Sequence, residues 1–416
     1  MAVPKLRFKE FDGDWANFNL GDISDIKTGP FGSTLHQKDY VEIGTPIITV
    51  EHLGEVGLTS QNLPLVSDED KVRLKSYMLD EGDLAFSRVG SVDRCAIITG
   101  KEKGWLFSGR ILRVRPNKKL VHSKNLMYAL KTEDAKYRIR SVAVGQTMPS
   151  LNTEILKNFS INLSNSVEEQ TKIASFLSVV DEKISQLTQK HALLTQYKQG
   201  MMQKLFSQQI RFKADDGSEF GEWEEVRLGN LVDLTSGFAF KSDFFSEDGN
   251  KLITPKNFTT TGKANFTDTN TKWTTEISDK KYICRPNDLL VLLTDLTQSC
   301  ELLGKPILLS QDDGNVLLNQ RIVKIIPNRK LEKPFLLYLL LTDDFHELIV
   351  STASGTTVKH SSNKVLQNFH FYLPCLEEQT KIANFLSAID QKIEVVAQQI
   401  EQAKTWKKGL LQQMFV

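Results

Sequence analysis

Residues 168–207 read EEQTKIASFLSVVDEKISQLTQKHALLTQYKQGMMQKLFS, and residues 377–416 read EEQTKIANFLSAIDQKIEVVAQQIEQAKTWKKGLLQQMFV. The two stretches align without a gap at an offset of 209 residues, and 18 of the 40 aligned positions are identical. Self-similarity of this length indicates an internal duplication. The chain therefore consists of two equivalent halves, each closed by one copy of the repeat.

The duplication continues outside the repeats, although it becomes weaker there. A Gly-acid-Trp triplet with a following Leu-Gly pair opens each half, and a Gly-polar-Thr stretch with a following Asn-Phe pair precedes each repeat. The matched positions are Gly13-Asp14-Trp15, Leu20-Gly21, Asp25, Gly29, Gly145-Gln146-Thr147 and Asn158-Phe159 in the first half, and Gly221-Glu222-Trp223, Leu228-Gly229, Asp233, Gly237, Gly355-Thr356-Thr357 and Asn368-Phe369 in the second. The two halves match at their ends and differ in between. This pattern indicates a shared fold whose two copies recognise different targets.

Each repeat predicts one long helix, over 166–207 and over 375–416. Apolar residues recur with a 3.5-residue period through five heptads, which is typical of a coiled-coil seam. At 1.5 Å per residue each helix would be about 60 Å long. We predict that the two helices pair as an antiparallel coiled coil with pseudo-twofold symmetry; the alternative is two independent amphipathic helices, each packed on its own domain. The predicted seam residues are Ile173, Leu177, Val180, Ile184 and Leu187, and Ile382, Leu386, Ile389, Ile393 and Val396.

Polar residues mark the start of the first helix and interrupt the seam. Ser166 and Glu169 have the spacing of a capping box. His191 occupies one seam position, and Lys198 and Lys407 occupy equivalent seam positions, each beside an aromatic residue. We interpret the histidine as a register or edge residue, and the lysines as the point where the apolar stripe drifts towards the aromatic residue.

The composition is that of a globular protein with at least two domains. The chain has 416 residues, of which 40% are hydrophobic and 25% are charged. No run approaches the roughly eighteen apolar residues of a membrane span, and the first fifteen residues lack the apolar core of a signal peptide. The four cysteines are scattered, which predicts reduced thiols in a cytoplasmic protein rather than a zinc site or a disulfide framework.

The residues before each repeat, 1–160 and 208–370, form two variable domains that mix short strand-like runs with loops. Helical patterns follow near 123–140 and 333–350. Because no regular β-α-β rhythm is present, the mixture predicts an α/β (α+β) domain with a partly open, mostly antiparallel sheet and flanking helices. The strand candidates are 46–50, 84–86, 96–98, 111–114, 289–293, 307–309 and 321–325.

Charge is distributed unevenly between the two variable domains, although the net formal charge is only +1. Residues 110–140 carry ten lysines or arginines against two acids, a balance of +8. A basic surface of this density fits the neutralisation of phosphates. The corresponding stretch of the second domain, 320–350, has five bases against four acids, so the basic surface predicted for the first domain has no counterpart.

Polar loops at matching places in the two domains are the candidates for reading DNA bases. Base edges are read by Arg, Lys, Asn, Gln, Ser and Thr side chains. One such loop follows the strand opened by Gly82-Asp83, and the matching loop follows the strand opened by Asn287-Asp288. The candidate DNA-binding residues are Ser87, Arg88, Ser91, Arg94, Arg110, Gln146 and Thr147 in the first domain, and Lys241, Thr294, Thr297, Gln298, Gln320, Thr356, Thr357 and Lys359 in the second.

The chain carries no recognisable catalytic or metal-binding signature. It lacks a P-loop, a Gly-rich dinucleotide fingerprint after a strand, an HExxH pair and the Asn/Asp-Pro-Pro-aromatic tetrapeptide of adenine methyltransferases. A nuclease-like cluster of carboxylates stays open at this level, because acidic residues are plentiful. The sequence therefore favours a binding protein without catalytic or metal-ligating residues of its own.

The order of variable domain, Glu-Gln-x-Lys-Ile helix, variable domain and second Glu-Gln-x-Lys-Ile helix resembles the specificity (S) subunit of type I restriction–modification enzymes. The resemblance covers essentially the whole chain. Its most specific parts are the two Glu-Gln-x-Lys-Ile motifs, at 169–173 and 378–382. The Gly-acid-Trp…Leu-Gly starts and the Gly-x-x-x-Lys/Gln-x-Phe pattern that ends at Phe206 and Phe415 are also characteristic.

The resemblance implies a division of labour with partner subunits. In that family each variable domain is a target recognition domain that reads one half of a bipartite, asymmetric DNA sequence. The two helices set the spacer between the half-sites and dock two modification (methyltransferase) subunits, which bind S-adenosylmethionine and methylate adenine. Restriction (motor–nuclease) subunits cleave unmodified DNA. The implied partners are double-stranded DNA and these subunits, without a membrane; S-adenosylmethionine, ATP and Mg²⁺ are expected on the partner subunits, with no cofactor on this chain.

Two other functions stay open from the residues alone. The chain could be a coiled-coil scaffold that joins other proteins without reading DNA, or a self-contained restriction or modification enzyme. The enzyme would require catalytic motifs, which the sequence lacks. Salt dependence separates DNA binding from the scaffold, because a protein that contacts phosphates loses affinity steeply as salt rises.

Overall fold

The computed structural model describes residues 3–30, 34–54, 57–145, 147–276, 278–295, 297, 299–356 and 358–415. The chain forms two compact units, Met1–Gln189 with Val396–Val416, and Lys190–Val395. Each unit contains one variable domain and a segment of both long helices. The division of the chain into domain, helix, domain and helix stays a prediction.

The first unit is built on two small sheets. Its elements are β1 (Trp15–Asn19), α1 (Leu20–Ile23), β2 (Ser24–Thr28), β3 (Tyr40–Val41), β4 (Thr45–Ile48), β5 (Leu65–Val66), α2 (Asp68–Arg73), β6 (Leu84–Ser87), β7 (Cys95–Ile97), β8 (Leu106–Phe107), β9 (Ile111–Pro116), α3 (Ser123–Leu130), α4 (Glu133–Val142), α5 (Thr153–Lys157), β10 (Ser160–Ser164) and the start of α6 (Val167–Phe206). One sheet has the order β2-β9-β6-β7 and is antiparallel, and the other has the order β3-β5-β4-β8 with β4 and β8 parallel. β1 and β10 form a separate antiparallel pair.

The second unit repeats this plan. Its elements are β11 (Glu224–Arg227), β12 (Val232–Ser236), β13 (Phe245–Ser246), β14 (Asn250–Ile253), β15 (Lys272–Thr274), β16 (Ile283–Cys284), β17 (Leu289–Leu292), β18 (Thr294–Asp295), β19 (Pro306–Leu308), β20 (Val316–Leu318), β21 (Ile322–Pro327), α7 (Lys333–Leu340), α8 (Asp343–Ser351), β22 (Lys359–His360), α9 (Asn363–Gln367), β23 (His370–Leu373) and the start of α10 (Leu376–Phe415). The sheet β12-β21-β17-β19 has the same order as β2-β9-β6-β7, and β13-β15-β14-β20-β16 extends the second sheet by one strand.

The predicted α/β domains with mostly antiparallel sheets are confirmed, and every strand candidate overlaps a strand. The helical patterns near 123–140 and 333–350 each contain two helices. Thr132 ends α3 and caps α4, because its hydroxyl accepts the Ala135 N–H at 3.2 Å. Thr342 occupies the same place before α8. In both domains a threonine at the N-cap position of the second helix separates the two helices of the pattern.

Most of the predicted seam residues are buried on the long helices. In the first unit, one hydrophobic core joins part of α6 and the end of α10 to the variable domain. In the second unit, the end of α6 and the start of α10 share a hydrophobic core with the second variable domain in the same way. The buried seam residues are Ile173, Leu177, Val180, Ile184, Leu187, Ile382, Leu386, Ile389 and Val396, with Ile393 half-buried. Pairing of the helices along their whole length stays a prediction.

A buried glutamate fixes the start of α6 to the first variable domain. Glu169 accepts two hydrogen bonds from the Arg7 guanidinium, at 2.7 and 2.9 Å, and one from the Trp15 indole at 3.4 Å. The Ser164 hydroxyl donates to the same carboxylate at 2.5 Å. The predicted capping box is therefore half right: the Ser166 hydroxyl accepts the Glu169 N–H at 3.3 Å, but the carboxylate turns to Arg7, Trp15 and Ser164 instead of the N-cap backbone.

The second unit repeats the contact with the same residue types. Glu378 accepts hydrogen bonds from Arg211 at 2.8 and 3.2 Å and from the Trp223 indole at 2.9 Å. The next residue, Gln379, accepts the Glu332 N–H and donates to the Lys330 carbonyl, both at 2.9 Å. The Glu-Gln and Gly-acid-Trp motifs of the sequence thus belong to one contact, which joins each helix to its domain.

The two seam lysines form ion pairs with half-buried aspartates of the other helix. In the first unit, Lys407 lies 2.5 Å from Asp181, which also accepts the Tyr128 hydroxyl at 2.7 Å. In the second unit, Lys198 lies 2.6 Å from the equivalent aspartate, Asp390. The lysines interrupt the apolar seam because each reaches across to a carboxylate, and this replaces our interpretation of a drifting stripe.

Candidate nucleic-acid interface

Two polar loops of the first variable domain meet beyond the end of β6. Residues 88–94 form one loop, and residues 144, 145 and 147–150 lie in the other. Val89 forms a β-bridge with Ser150, and the Gly90 N–H donates to the Pro149 carbonyl at 2.9 Å. The fold therefore joins two of the stretches that the sequence singled out separately.

The second variable domain joins the equivalent loops. β18 pairs with β22, so that Thr294 lies opposite His360, and the Thr294 hydroxyl is 3.1 Å from the His360 Nδ1. Ser354 forms a β-bridge with His360, as Val144 does with Ser150 in the first domain. Both domains thus carry the same pair of loops with different side chains.

A glycine with positive φ shapes the second loop in both domains. Gly145 has φ +105° and Gly355 has φ +101°, a region that side chains rarely adopt. A Cβ on Gly355 would lie 2.0 Å from the Val358 carbonyl oxygen, and one on Gly145 would lie 2.8 Å from the Met148 oxygen. The Gly-polar-Thr motif therefore begins with a residue that the turn requires.

Backbone carbonyls hold the arginines of the first interface. The backbone N–H of Arg88 donates to the Arg110 carbonyl, and the Nη1 of its guanidinium donates to the Gly109 carbonyl, both at 2.9 Å. Arg94 donates to the Leu53 carbonyl. Arg94 and Arg110 are exposed, and Arg88 is half-buried. The side chains of Arg88 and Arg94 are thus partly preorganised for an anionic or base-edge partner, and Arg110 is joined to Arg88 through its backbone carbonyl.

A buried carboxylate that the sequence analysis missed organises the second interface. Asp295 accepts the Thr297 N–H and hydroxyl at 2.8 Å and the Leu302 N–H at 2.9 Å. Burial raises the pKa of Asp295, but these hydrogen bonds outweigh it and hold the pKa below its usual value. Asp295 is therefore an anion that shapes the loop. Only its place beside the predicted Thr294 could have pointed to it.

Gln320 precedes β21, and Lys241 lies in the segment after β12. The Gly237 N–H donates to the Ile322 carbonyl at 3.0 Å, and Phe238 bridges to Asn319, so the segment after β12 runs beside the residues that precede β21. The Lys241 N–H donates to Glu276 at 2.8 Å. Both predicted side chains are exposed.

The candidate DNA-binding residues differ in exposure. Ser87 is fully buried, and its hydroxyl donates to the Val89 carbonyl at 3.2 Å. Thr294 is 5% exposed, so we assign both hydroxyls to holding their loops and not to contacting DNA. Gln146, Gln298 and Thr357 lie outside the described residues. The exposed candidates are Ser91, Arg94, Arg110, Thr147, Lys241, Thr297, Gln320 and Thr356, and Arg88 and Lys359 are half-buried.

Much of the basic stretch at 110–140 serves the fold. Arg113 is 4% exposed and forms an ion pair with Asp25 of the neighbouring strand, and Arg115 lies 2.6 Å from Asp83. The ion pairs that involve Arg138 and Arg140 join α4 to itself and to the loop after β6. The charge count of the sequence therefore overstates the basic surface of the first domain, because it includes charges that the fold already neutralises.

The described residues hold no group of three or more His, Cys, Asp or Glu that could bind a metal ion. The thiols of Cys95, Cys284 and Cys300 are buried, and that of Cys375 is exposed. Burial raises the pKa of Cys95 to about 11, so this thiol stays protonated and weakly nucleophilic at neutral pH. None of the described helices has the length and apolar content that a membrane span requires.

Comparison with known proteins agrees with this duplicated arrangement. The family model of the type I restriction modification DNA specificity domain matches residues 12–196 and again residues 221–405. The chain belongs to this family. The two matches are offset by the same 209 residues that separate the repeats. The chain is thus a specificity subunit with two recognition domains, the non-catalytic kind of subunit in a type I restriction–modification complex.

Relatives of known sequence or structure cover nearly all of this specificity subunit. It is 28% identical to the type I restriction enzyme MjaVIII specificity subunit of Methanocaldococcus jannaschii, over 97% of this chain and 94% of the relative. Its fold resembles the type I restriction-modification S subunit of M. genitalium, with a TM-score of 0.60, 17% identity and coverage of 100% and 99%. A chain from a structural study of type I R-M complex assembly and conformational transition has a TM-score of 0.57, with 18% identity and coverage of 96% and 97%.

Proposed function

We propose that this specificity subunit reads a bipartite, asymmetric sequence in double-stranded DNA, one half-site with each recognition domain. One observation carries the proposal: paired polar loops recur at the same place in both domains and present different side chains. Equivalent positions suit a common mode of approach to DNA. Different side chains suit two different half-sites.

The chemistry of the two interfaces supports unlike half-sites. The first presents Arg88, Arg94 and Arg110, and arginine forms bidentate hydrogen bonds with guanine or contacts phosphates. The second presents Gln320 and Lys359 with threonines, and glutamine pairs well with adenine. An asymmetric DNA target follows from this difference.

In this proposal the reactions belong to partner subunits. Two methyltransferase subunits would bind S-adenosylmethionine and methylate adenine, and restriction subunits would use ATP and Mg²⁺ to move along and cleave DNA. The two long helices, paired as an antiparallel coiled coil, would hold the recognition domains at a fixed separation. Linkage of two weak half-site contacts on one rigid spacer makes the second contact intramolecular and raises the affinity for the full site.

The test is to express the full chain with its methyltransferase subunits in a host without adenine methylation, and to map methyladenine across the genome. We expect one new bipartite motif with unlike halves. Cells that express the methyltransferase subunits alone provide the baseline. An assembled complex that adds no methylation and binds no DNA would contradict the proposal and favour the scaffold.

We expect Arg94→Ala to weaken binding to DNA that carries the mapped motif more than binding to random DNA. A bidentate base contact contributes about 1–3 kcal/mol of discrimination, so cognate affinity should fall roughly 10- to 100-fold. The same holds for Arg88→Ala. Fluorescence anisotropy on both duplexes measures the effect, with Arg73→Ala as the control, because Arg73 is bonded to Asp70 in α2 instead. Equal losses of affinity for the two duplexes would mean that these arginines contact phosphates and do not read bases.

A further inference from the structure

A groove with a volume of about 940 Å³ opens in the first unit between the loop after β6, the start of α4 and the end of α10. Basic side chains reach it from all three elements. Arg94 comes from the loop, and α10 contributes three lysines within five residues. The basic residues that line the groove are Arg94, Lys131, Lys136, Lys404, Lys407 and Lys408.

The acids that line the groove are already neutralised by neighbouring bases. Four carboxylates line it, and each forms an ion pair within the first unit. The pairs are Asp93 with Arg140, Glu133 with Lys136, Asp134 with Arg138, and Asp181 with Lys407. Lys404 also pairs with Glu401, which lies outside the lining, as do Arg138 and Arg140. Six bases against four acids line the groove, so it keeps a positive balance.

Several lysines lie close together along the groove. Burial lowers the pKa of Lys131; repulsion from Lys407 and Lys136 acts in the same direction, and Cys95 and Asp181 act against it. Lys404 and Lys408 are exposed on α10. An anion in the groove would relieve this repulsion, whereas water screens it only in part.

The second unit does not repeat this set of charges. Lys407 has the equivalent Lys198 there, but the other four lysines are replaced by uncharged or weakly basic residues. The equivalents of Lys131, Lys136, Lys404 and Lys408 are Leu341, His346, Thr195 and Gln199. Lys131 and Lys136 of the basic stretch thus meet Lys404 and Lys408 of α10 in a groove whose equivalents in the second unit carry less positive charge.

We propose that this groove binds the DNA sugar–phosphate backbone beside the first half-site. The inference rests on the proposed function, because it assumes that the loop after β6 faces DNA. Arg94 belongs both to that loop and to the groove, so a duplex on the loop continues towards the groove. The first recognition domain consequently holds its half-site with more electrostatic, sequence-independent affinity than the second.

The test compares Lys404→Gln combined with Lys408→Gln against the unchanged full-length chain. Both side chains are exposed, so the variant should fold, which circular dichroism checks. The dissociation constant for a random-sequence duplex is measured between 50 and 200 mM KCl. Each lost phosphate contact lowers the slope of log K against log salt by about 0.9, so we expect a slope shallower by about 1–2 and weaker binding at 50 mM. The control is Lys183→Gln combined with Lys392→Gln, exposed lysines of the two helices outside the groove lining, which should keep the slope.

Each outcome has one meaning. If the unchanged chain does not bind DNA in a salt-dependent way, the proposed function itself fails. If it binds and the groove variant keeps its slope, the groove inference is overturned while DNA recognition stands. If the variant keeps its slope but no longer co-purifies with the methyltransferase subunits, the groove is a protein-docking surface and the inference is equally overturned.

Discussion

Glu169→Ala is expected to lower the free energy of unfolding of the first unit by about 3–5 kcal/mol, the range for removal of one partner from a buried ion pair. The carboxylate is fully buried, and four hydrogen bonds converge on it. Its loss leaves the guanidinium of Arg7, the indole N–H of Trp15 and the hydroxyl of Ser164 without their acceptor. The start of α6 would then be held to the domain by apolar packing and by the hydrogen bonds of Gln170 with His122 and Leu120.

Hydrogen exchange measures this effect unit by unit, which global unfolding of a two-unit chain does not. We expect faster exchange in β1, β10 and the first turns of α6. Glu168→Ala is the matched control, because Glu168 is the adjacent acid of the same helical turn and is exposed. Glu378→Ala should produce the same change in β11, β23 and α10 of the second unit. Equal effects of the Glu168 and Glu169 substitutions would refute the anchor.

The anchor also predicts sensitivity of the first unit to acid. Burial raises the pKa of Glu169, but the hydrogen bonds from Arg7 and Ser164 outweigh it, so the pKa lies below its ordinary value. A carboxyl whose pKa is lower in the folded state contributes stability above its ordinary pKa and loses that contribution as the pH falls through the folded value. From about pH 5 downward the unchanged chain should lose stability faster than Glu169→Ala.

The local elements of the fold could be predicted from the sequence because their signals are local. A 3.5-residue period predicted buried residues such as Ile173 and Ile382, and short apolar runs predicted β6 and β17. The partners of Glu169 could not be predicted in this way. Its spacing from Ser166 suggested a cap, whereas Arg7 lies 162 residues away and contacts Glu169 only through the tertiary fold.

The candidate interface was predictable in outline and not in detail. Matching motifs in the two halves selected both loops, since a duplicated chain repeats its functional edges. Burial of Ser87 could not be foreseen, because a polar residue at a strand end is as often a loop-shaping residue as an exposed one. A charge count likewise cannot separate Arg113, which Asp25 neutralises from another strand, from Lys408, which lines an open groove.

Asp390→Ala is expected to destabilise the second unit by about 3–5 kcal/mol, because Lys198 would stay buried without its counter-charge. Lys198 is 9% exposed, and its ammonium lies 2.6 Å from the Asp390 carboxylate. The Tyr338 hydroxyl, which donates to Asp390 at 2.8 Å, would lose its acceptor as well. Burial raises the pKa of Tyr338, so this hydroxyl remains a donor throughout the accessible pH range.

A double-mutant cycle separates the ion pair from the packing around it. Lys198→Met alone leaves Asp390 with its tyrosine bond, and Asp390→Leu alone leaves Lys198 without its counter-charge. The two combined replace both charges by apolar groups and should recover most of the loss. The exposed pair Lys404 and Glu401 of α10 is the control, and its coupling should be at most about 1 kcal/mol. Hydrogen exchange of the end of α6, followed as urea rises, gives the free energy of unfolding of the unchanged chain, the two single variants and the double variant. Additive single substitutions would mean that Lys198 and Asp390 do not stabilise each other. A coupling of several kcal/mol would explain why two lysines persist in an otherwise apolar seam.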